Sequence, residues 1–273
     1  MALAESVPIT IKKGVRFAKL KKISVLLTND DGYQATGLRA LAAELQGLAE
    51  IHVVAPSWER SGAAQSLTLR QPIICHRTGE SEWAIDGTPA DCVIVALHKL
   101  LDSPPDLVIS GINHGANLGE NVYYSGTVGA AREAVIHHVP ALAISLCSKR
   151  MNADFGPPAR LARRMAELIL KEGLPEQVLL NVNVPENWNG ASKLTRQSKK
   201  ITRTVLREGE DPRAQRYFWL SEQRIDREME LDAGSDYAAV FAGEASVTPL
   251  HLDPTHAESL NGLSHWTEKL VRR

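Results

Sequence analysis

The sequence predicts an α/β fold, a mostly parallel sheet with helices on both faces, on three observations. Short β-branched and apolar runs alternate with segments of helical periodicity from residue 23 to about residue 185. The first run, Ile23-Ser24-Val25-Leu26-Leu27-Thr28, ends abruptly in Asn29-Asp30-Asp31-Gly32, two adjacent carboxylates and a glycine that lets the chain turn sharply. Polar segments also accompany later runs, and right-handed crossovers bring every strand's carboxyl end to one rim. Open α/β sheets bind ligands on that rim.

Strands are expected at residues 23–28, 51–55, 107–110, 141–146 and 178–184. Between them, residues 38–48 carry Leu38, Leu41, Leu45 and Leu48 at three- and four-residue spacing, the stripe of a helix. Residues 89–101 start a helix with Thr88 as N-cap and Pro89 at the first helical position. Residues 127–137 and 159–172 supply two more helices. Beyond Pro185 the character changes. Residues 195–231 are rich in Arg, Thr and Glu, with Tyr217, Phe218 and Trp219 clustered. Within them 202–205 and 215–220 read as an extended ribbon that buries little alone and packs on the core or on another chain. Residues 236–252 return to a strand-like pattern, and 260–271 form a terminal helix. The expected division is a flexible basic extension (1–22), a core (23–190) and a C-terminal extension (191–273).

Composition narrows the function classes. The chain has 273 residues with 44% hydrophobic and 23% charged residues, an ordinary globular balance. Its net charge of −1 carries no basic excess, so a nucleic-acid polymer is not an expected partner. No apolar run is long enough to span a membrane, so none is expected as a partner either. Lys12, Lys13, Arg16, Lys19, Lys21 and Lys22 make the N-terminus basic without the apolar core of a signal peptide. Cys75, Cys92 and Cys147 are odd in number and form no C-x-x-C, which fits a reduced, cytoplasmic protein.

The chemistry lies in the polar segments. Two adjacent carboxylates repel unless a proton or cation sits between them. Asp30 and Asp31 therefore read as part of a divalent-metal site or as solvated acids of a turn. Residues 56–62 follow the second strand, 110–119 follow the third long one, and Asn181 and Asn183 lie in the last. Asp30, Asp31, Ser61 and Asn113 offer oxygens, which suit Mg²⁺, Mn²⁺ or Ca²⁺ rather than Zn²⁺. Gly111, Gly115 and Gly119 fall four apart, so no dinucleotide fingerprint is present, and no P-loop occurs. Tyr124-Ser125-Gly126-Thr127-Val128-Gly129-Ala130 leads into a helix. It reads as a phosphate cradle of N–H groups and hydroxyls or as a plain Ser N-cap. A metal site on the same rim favours the cradle.

These motifs resemble the SurE family (survival protein E) of metal-dependent nucleoside monophosphate phosphatases. The matching strings are Leu26-Leu27-Thr28-Asn29-Asp30-Asp31-Gly32, Ala55-Pro56 with Arg60-Ser61-Gly62 and Ser66-Leu67-Thr68, and Gly87-Thr88-Pro89-Ala90-Asp91-Cys92-Val93. Residues 106–117 and 124–133 follow, then Asn181-Val182-Asn183-Val184-Pro185 and Ser246-Val247-Thr248-Pro249-Leu250. The resemblance implies a Rossmann-like sheet whose C-terminal extension is exchanged or packed between subunits of a homodimer or homotetramer. It implies one divalent ion per subunit, Mg²⁺ or Mn²⁺ with Ca²⁺ as a substitute, held by Asp30, Asp31, Ser61 and Asn113. It places Asn117, Ser125, Gly126 and Thr127 around the substrate phosphate and gives Asp30, Asp31 and Asn117 catalytic roles. The activity implied is hydrolysis of nucleoside 5′- and 3′-monophosphates, and in some members of short polyphosphate. Many members carry His two residues after the acid that matches Asp236, where this chain has Ala238. On this reading Ala238→His restores a proton donor for poor leaving groups.

The implied mechanism is attack by a metal-activated water in line with the ester oxygen, with donors from Asn117 and residues 125–127 on the equatorial oxygens. No general acid stands out. His114 is a candidate by position and equally a structural residue. Two rivals share these motifs. One is a metal- and nucleotide-binding module without turnover. The other is an aspartyl-phosphate enzyme, disfavoured because that chemistry usually separates its two Asp by one residue.

Overall fold

The computed structural model describes residues 22–199, 202–224 and 232–271. The basic extension up to residue 21 lies outside the described residues. The chain opens with β1 (Ser24–Thr28), α1 (Thr36–Glu44), β2 (Glu50–Pro56), β3 (Cys75–Arg77) and β4 (Glu82–Ile85). Next come α2 (Pro89–Val95), continued by a π-turn over Ala96–Leu100, and β5 (Leu107–His114). A 3₁₀ turn (Gly119–Tyr123) leads to α3 (Gly126–Ile136), β6 (Ala141–Cys147), α4 (Gly156–Glu172) and β7 (Val178–Pro185). The remainder is β8 (Ser192–Leu194), β9 (Thr202–Glu210), β10 (Arg216–Arg224), α5 (Asp236–Phe241), β11 (Ala245–His251) and α6 (Ala257–Val271).

Nine strands form one sheet in the order β3-β4-β2-β1-β5-β6-β7-β11-β8. The central pairs are parallel, as the alternation of strands and helices requires. Only β11 against β7 and β3 against β4 run antiparallel within this sheet. Period-two alternation splits each central strand between two cores. Val25 and Leu27 face one side with Leu38, Leu41 and Leu45 of the α1 segment and Leu161, Ala162 and Ala166 of α4. Leu26 faces the other with Cys92 and Val93 of α2 and Val128, Ala130, Ala131 and Ala134 of α3. The small residues of α3 have a cause: a Cβ at Gly129 would stand 2.4 Å from the Ala64 carbonyl oxygen, so only glycine lets that loop approach.

The five central strands fall where the sequence predicts them, and four details differ. The helix expected over 38–48 ends at Glu44, where Arg163 of α4 donates to the Glu44 carbonyl oxygen (2.6 Å) and Gly47 turns the chain at φ +80°. The third long strand continues past Ser110 to His114, so Asn113 sits on a strand and not in a loop. A register shift against β6 between Ser110 and Asn113 re-aims it. Residues 236–252 are a short helix and then a strand, because Ser235 caps α5, its Oγ accepting from Ala238 N (3.3 Å). The short strands β3, β4 and β8 carry no periodic signal of their own. They form because they extend an existing sheet edge.

Strand order locates the binding crevice. From β1 the chain moves to β2 on one side, then returns to place β5 on the other. The two crossovers diverge at the carboxyl ends of β1 and β5, the topological switch point where such sheets hold ligands.

Candidate active site

Asp30 and Asp31 leave β1 at this switch point. Asn29 shapes the turn: its Nδ2 donates to the Gly32 carbonyl oxygen (2.9 Å) and its Oδ1 accepts from Gly32 N (3.2 Å). Gly32 takes φ +102°, and a Cβ there would crowd the Trp58 backbone at 3.3 Å. The loop after β2 is stapled alongside, because Arg60 N donates to the Asp30 carbonyl oxygen (2.7 Å) and the Arg60 guanidinium lies over the Trp58 ring. This brings Ser61 beside the carboxylates, its hydroxyl donating to Glu59 (2.8 Å).

Asp30 is buried against the start of α3. Thr127 donates to it from its hydroxyl (2.5 Å to Oδ1) and from its backbone. Gly126 makes that approach possible: a Cβ there would lie 2.8 Å from Asp30 Cβ and 2.9 Å from Oδ2. Burial pushes the Asp30 pKa up to about 6, the Thr127 bonds oppose this, and the neighbouring Asp31 charge adds to it. Asp31 is also raised by burial, and by the Glu59 charge, against a bond from the backbone N–H of His114 (3.0 Å).

From β5, Asn113 donates from Nδ2 to the Gly115 carbonyl oxygen (2.7 Å), which turns its own oxygen away from that bond. Asn117 is anchored more fully. Its backbone N–H donates to Asn183 Oδ1 (2.8 Å), its carbonyl accepts from Asn181 and Asn183, and its Nδ2 donates to Ser145 Oγ (2.9 Å). The second Nδ2 hydrogen is left over. Ser125 caps α3, its Oγ accepting from Val128 N (3.0 Å).

A cavity of about 510 Å³ opens over these groups, lined by Asp30, Ser61, Asn113, Asn117 and Ser125 among others. A family model described as Survival protein SurE matches residues 25–204. The chain belongs to the SurE family. The 5′-nucleotidase SurE of Geotalea daltonii is 42% identical over 247 residues, covering 89% of this chain and 99% of that protein. The 5′-nucleotidase SurE of Myxococcus xanthus is 44% identical over 245 residues, covering 89% and 92%. The crystal structure of the SurE protein from Aquifex aeolicus superimposes with a TM-score of 0.79 at 37% identity, covering 89% of this chain and 99% of that one.

All eight residues singled out in the SurE motifs thus meet at one rim, in two groups. Asp30, Ser61, Asn113, Asn117 and Ser125 line the cavity. Asp31 is fixed beside it by His114, while Gly126 and Thr127 lie behind Asp30 and hold its carboxylate. The plain-cap reading describes Ser125 Oγ, and the α3 amino terminus faces a carboxylate of the chain itself. Sequence reasoning missed Asn29, the roles of Asn181 and Asn183 as anchors of Asn117, and Thr204 and Leu220, which also line the cavity. His114 lines the cavity too, its ring edge-on to Phe155 at 5.7 Å. Ala238 sits on α5 and does not line the cavity, so the expected leaving-group effect of Ala238→His has no geometric support.

The donor set fits a hard cation. Two partly buried carboxylates with raised pKa values face one rim and gain by sharing a positive charge. Among the described residues no three His, Cys, Asp or Glu side chains cluster as a metal site. Ser61 and Asn113 present neutral oxygens to the same cavity, and an oxygen donor set of this kind suits hard cations such as Mg²⁺, Mn²⁺ or Ca²⁺.

Proposed function

We propose that this chain is a divalent-metal-dependent nucleotidase that hydrolyses nucleoside monophosphates to nucleoside and phosphate. The observation that carries the reading is the buried Asp30, with the half-buried Asp31 beside it at the switch point, against a cavity whose polar wall comes from four separate chain segments. The curated relatives named 5′-nucleotidase support the substrate class. Asp30 and Asp31 hold the cation, with Ser61 and Asn113 completing its oxygen donors. Once bound, a divalent ion supplies Lewis acidity toward the phosphate and water. Thr127 and Gly126 keep the Asp30 carboxylate in place, so it need not reorganise as charge develops. The spare Nδ2 hydrogen of Asn117, held by Ser145, Asn181 and Asn183, is aimed at a phosphate oxygen.

Chelation tests this directly. Exhaustive EDTA treatment is expected to abolish AMP hydrolysis, and Mg²⁺ or Mn²⁺ to restore it. Full activity after chelation, confirmed by metal analysis of the protein, sinks the reading.

Assembly through the C-terminal extension belongs to the same proposal. In β9–β10, Tyr217 and Trp219 on one face and Leu206 and Phe218 on the other are exposed in the single chain. A two-stranded ribbon with this much apolar surface needs a partner. The ribbon itself is the segment to remove, because residues just before it are tied to the core. Thr195 bonds Thr248 (2.8 Å), and Ser198 bonds Asp236. Replacing residues 202–224 by a short linker is expected to lower the oligomeric state in multi-angle light scattering. An unchanged mass removes the ribbon from assembly.

A further inference from the structure

The active-site cavity has a second kind of wall. Asp30, Ser61, Asn113, Asn117 and Ser125 come from the strand ends and the start of α3. Ala116, Tyr124, Thr204 and Leu220 supply apolar and aromatic surface, the last two from the β9–β10 hairpin. Apart from their mutual pairing, β9 and β10 have no extensive contact with another described element. Their approach to the cavity therefore does not follow from packing on the core.

The hairpin register shows why these two residues are the ones to reach it. Leu220 pairs with Leu206, two residues along from Thr204, so Thr204, Leu206 and Leu220 share one face. Phe218 continues that face, capped by the Arg216 guanidinium 5.7 Å from its ring centroid. Trp219 pairs with Arg207 and lies on the opposite face, as does Tyr217, whose ring covers Gly209. One side of the ribbon looks into the cavity, and the other carries the largest aromatic surface. Leu220 is 70% exposed, so a ligand has most of its side chain left to cover.

We infer that the cavity-facing side of the hairpin, through Leu220 with Thr204, is a specificity wall that packs against the nucleoside part of the substrate. This rests on the nucleotidase reading and extends it to the end of the substrate that does not react. A nucleoside monophosphate has a charged end and a flat aromatic base, polar at its edge and apolar on its faces. The cavity presents hard polar groups at the rim and aliphatic surface from the hairpin. Leu220 offers no hydrogen bond, so it favours the presence of a base by contact area. A phosphate ester without a base gains nothing from it.

Ribose 5-phosphate tests this, because it shares the phosphate and the alkoxide leaving group of AMP and lacks only the base. The measured quantity is the ratio of kcat/KM for AMP to that for ribose 5-phosphate, with Mn²⁺ or Mg²⁺ present. Leu220→Ala is expected to lower this ratio about five- to tenfold, mainly through KM for AMP, as loss of an aliphatic contact does in an apolar pocket. Trp219→Ala, next in sequence but on the other face, is expected to keep the ratio of the native chain. Equal loss on both esters, an unchanged ratio in Leu220→Ala, or the same fall in Trp219→Ala overturns the inference. A native chain that hydrolyses neither ester with either metal overturns the nucleotidase reading, and the inference with it.

Discussion

Asp30→Asn should cost the enzyme about a thousandfold or more in AMP turnover, since a cation site can supply several kcal/mol of transition-state stabilisation. The same change should leave the metal-free protein at least as stable as the native chain. The carboxyl is forced into a buried position where its pKa rises from 3.8 to about 6. A folded-state value above the unfolded one means that the fold binds the proton more tightly. The group thus favours the folded state below about pH 4, and this contribution is lost as pH climbs through 6. At pH 7.5 without metal the charged form is a burden on the order of 3 kcal/mol. Asparagine keeps an oxygen to accept from Thr127 and carries no charge. Thermal melts in EDTA at pH 7.5 should therefore place Asp30→Asn at or above the native chain, with the gap closing at pH 4.5. Adding Mn²⁺ should raise the native melting temperature by mass action and leave the variant nearly unmoved. A variant that melts well below the native chain in EDTA at pH 7.5, or that turns AMP over normally, removes Asp30 from this role.

That opposition between stability and function is why Asp30 was legible in the sequence. A strand with three consecutive buried apolar residues has no structural reason to end in two adjacent acids, so the pair points to a ligand. The central strands were legible for a related reason: they are buried on both faces and read as unbroken apolar runs. Thr127 was harder. In sequence a Ser-Gly-Thr before a helix signals a cap or an anion site, and only the fold reveals that the anion is Asp30. Leu220 and Thr204 could not be found at all from sequence. Nothing local distinguishes the side of a ribbon that meets a cavity from the side that does not. That distinction comes from where residues far along the chain from Asn113, Thr204 and Leu220, return to the rim.

Asp236, the acid two residues before Ala238, is an anchor by its surroundings. It is fully buried on the first turn of α5. One oxygen accepts from Gly119 N (2.7 Å). The other accepts from Ser198 N (3.2 Å), Ser198 Oγ (2.5 Å) and its neighbour Tyr237 N (2.8 Å). These bonds pin the turn after the Asn113–Asn117 segment to the chain that leads into the hairpin. Gly119 has φ +54°, and a Cβ there would touch the Ser198 carbonyl oxygen and the Tyr237 ring at 3.0 Å, so the junction has no slack. Asp236→Ala strands several buried donors at once, each costing about 1–3 kcal/mol when left unsatisfied. Partial hydration of the gap recovers some of this, and a net loss of about 3–5 kcal/mol is expected, the range seen when one side of a buried polar network is removed. Asp236→Asn keeps one acceptor and should fall between. Urea denaturation of the full chain reads the loss, and AMP turnover measured well below the transition reads the site. An anchor predicts that turnover per folded molecule falls less than stability does, because the cation oxygens of Asp30, Asp31, Ser61 and Asn113 are held by other bonds. Loss of turnover by orders of magnitude with unchanged stability would place Asp236 in the chemistry instead.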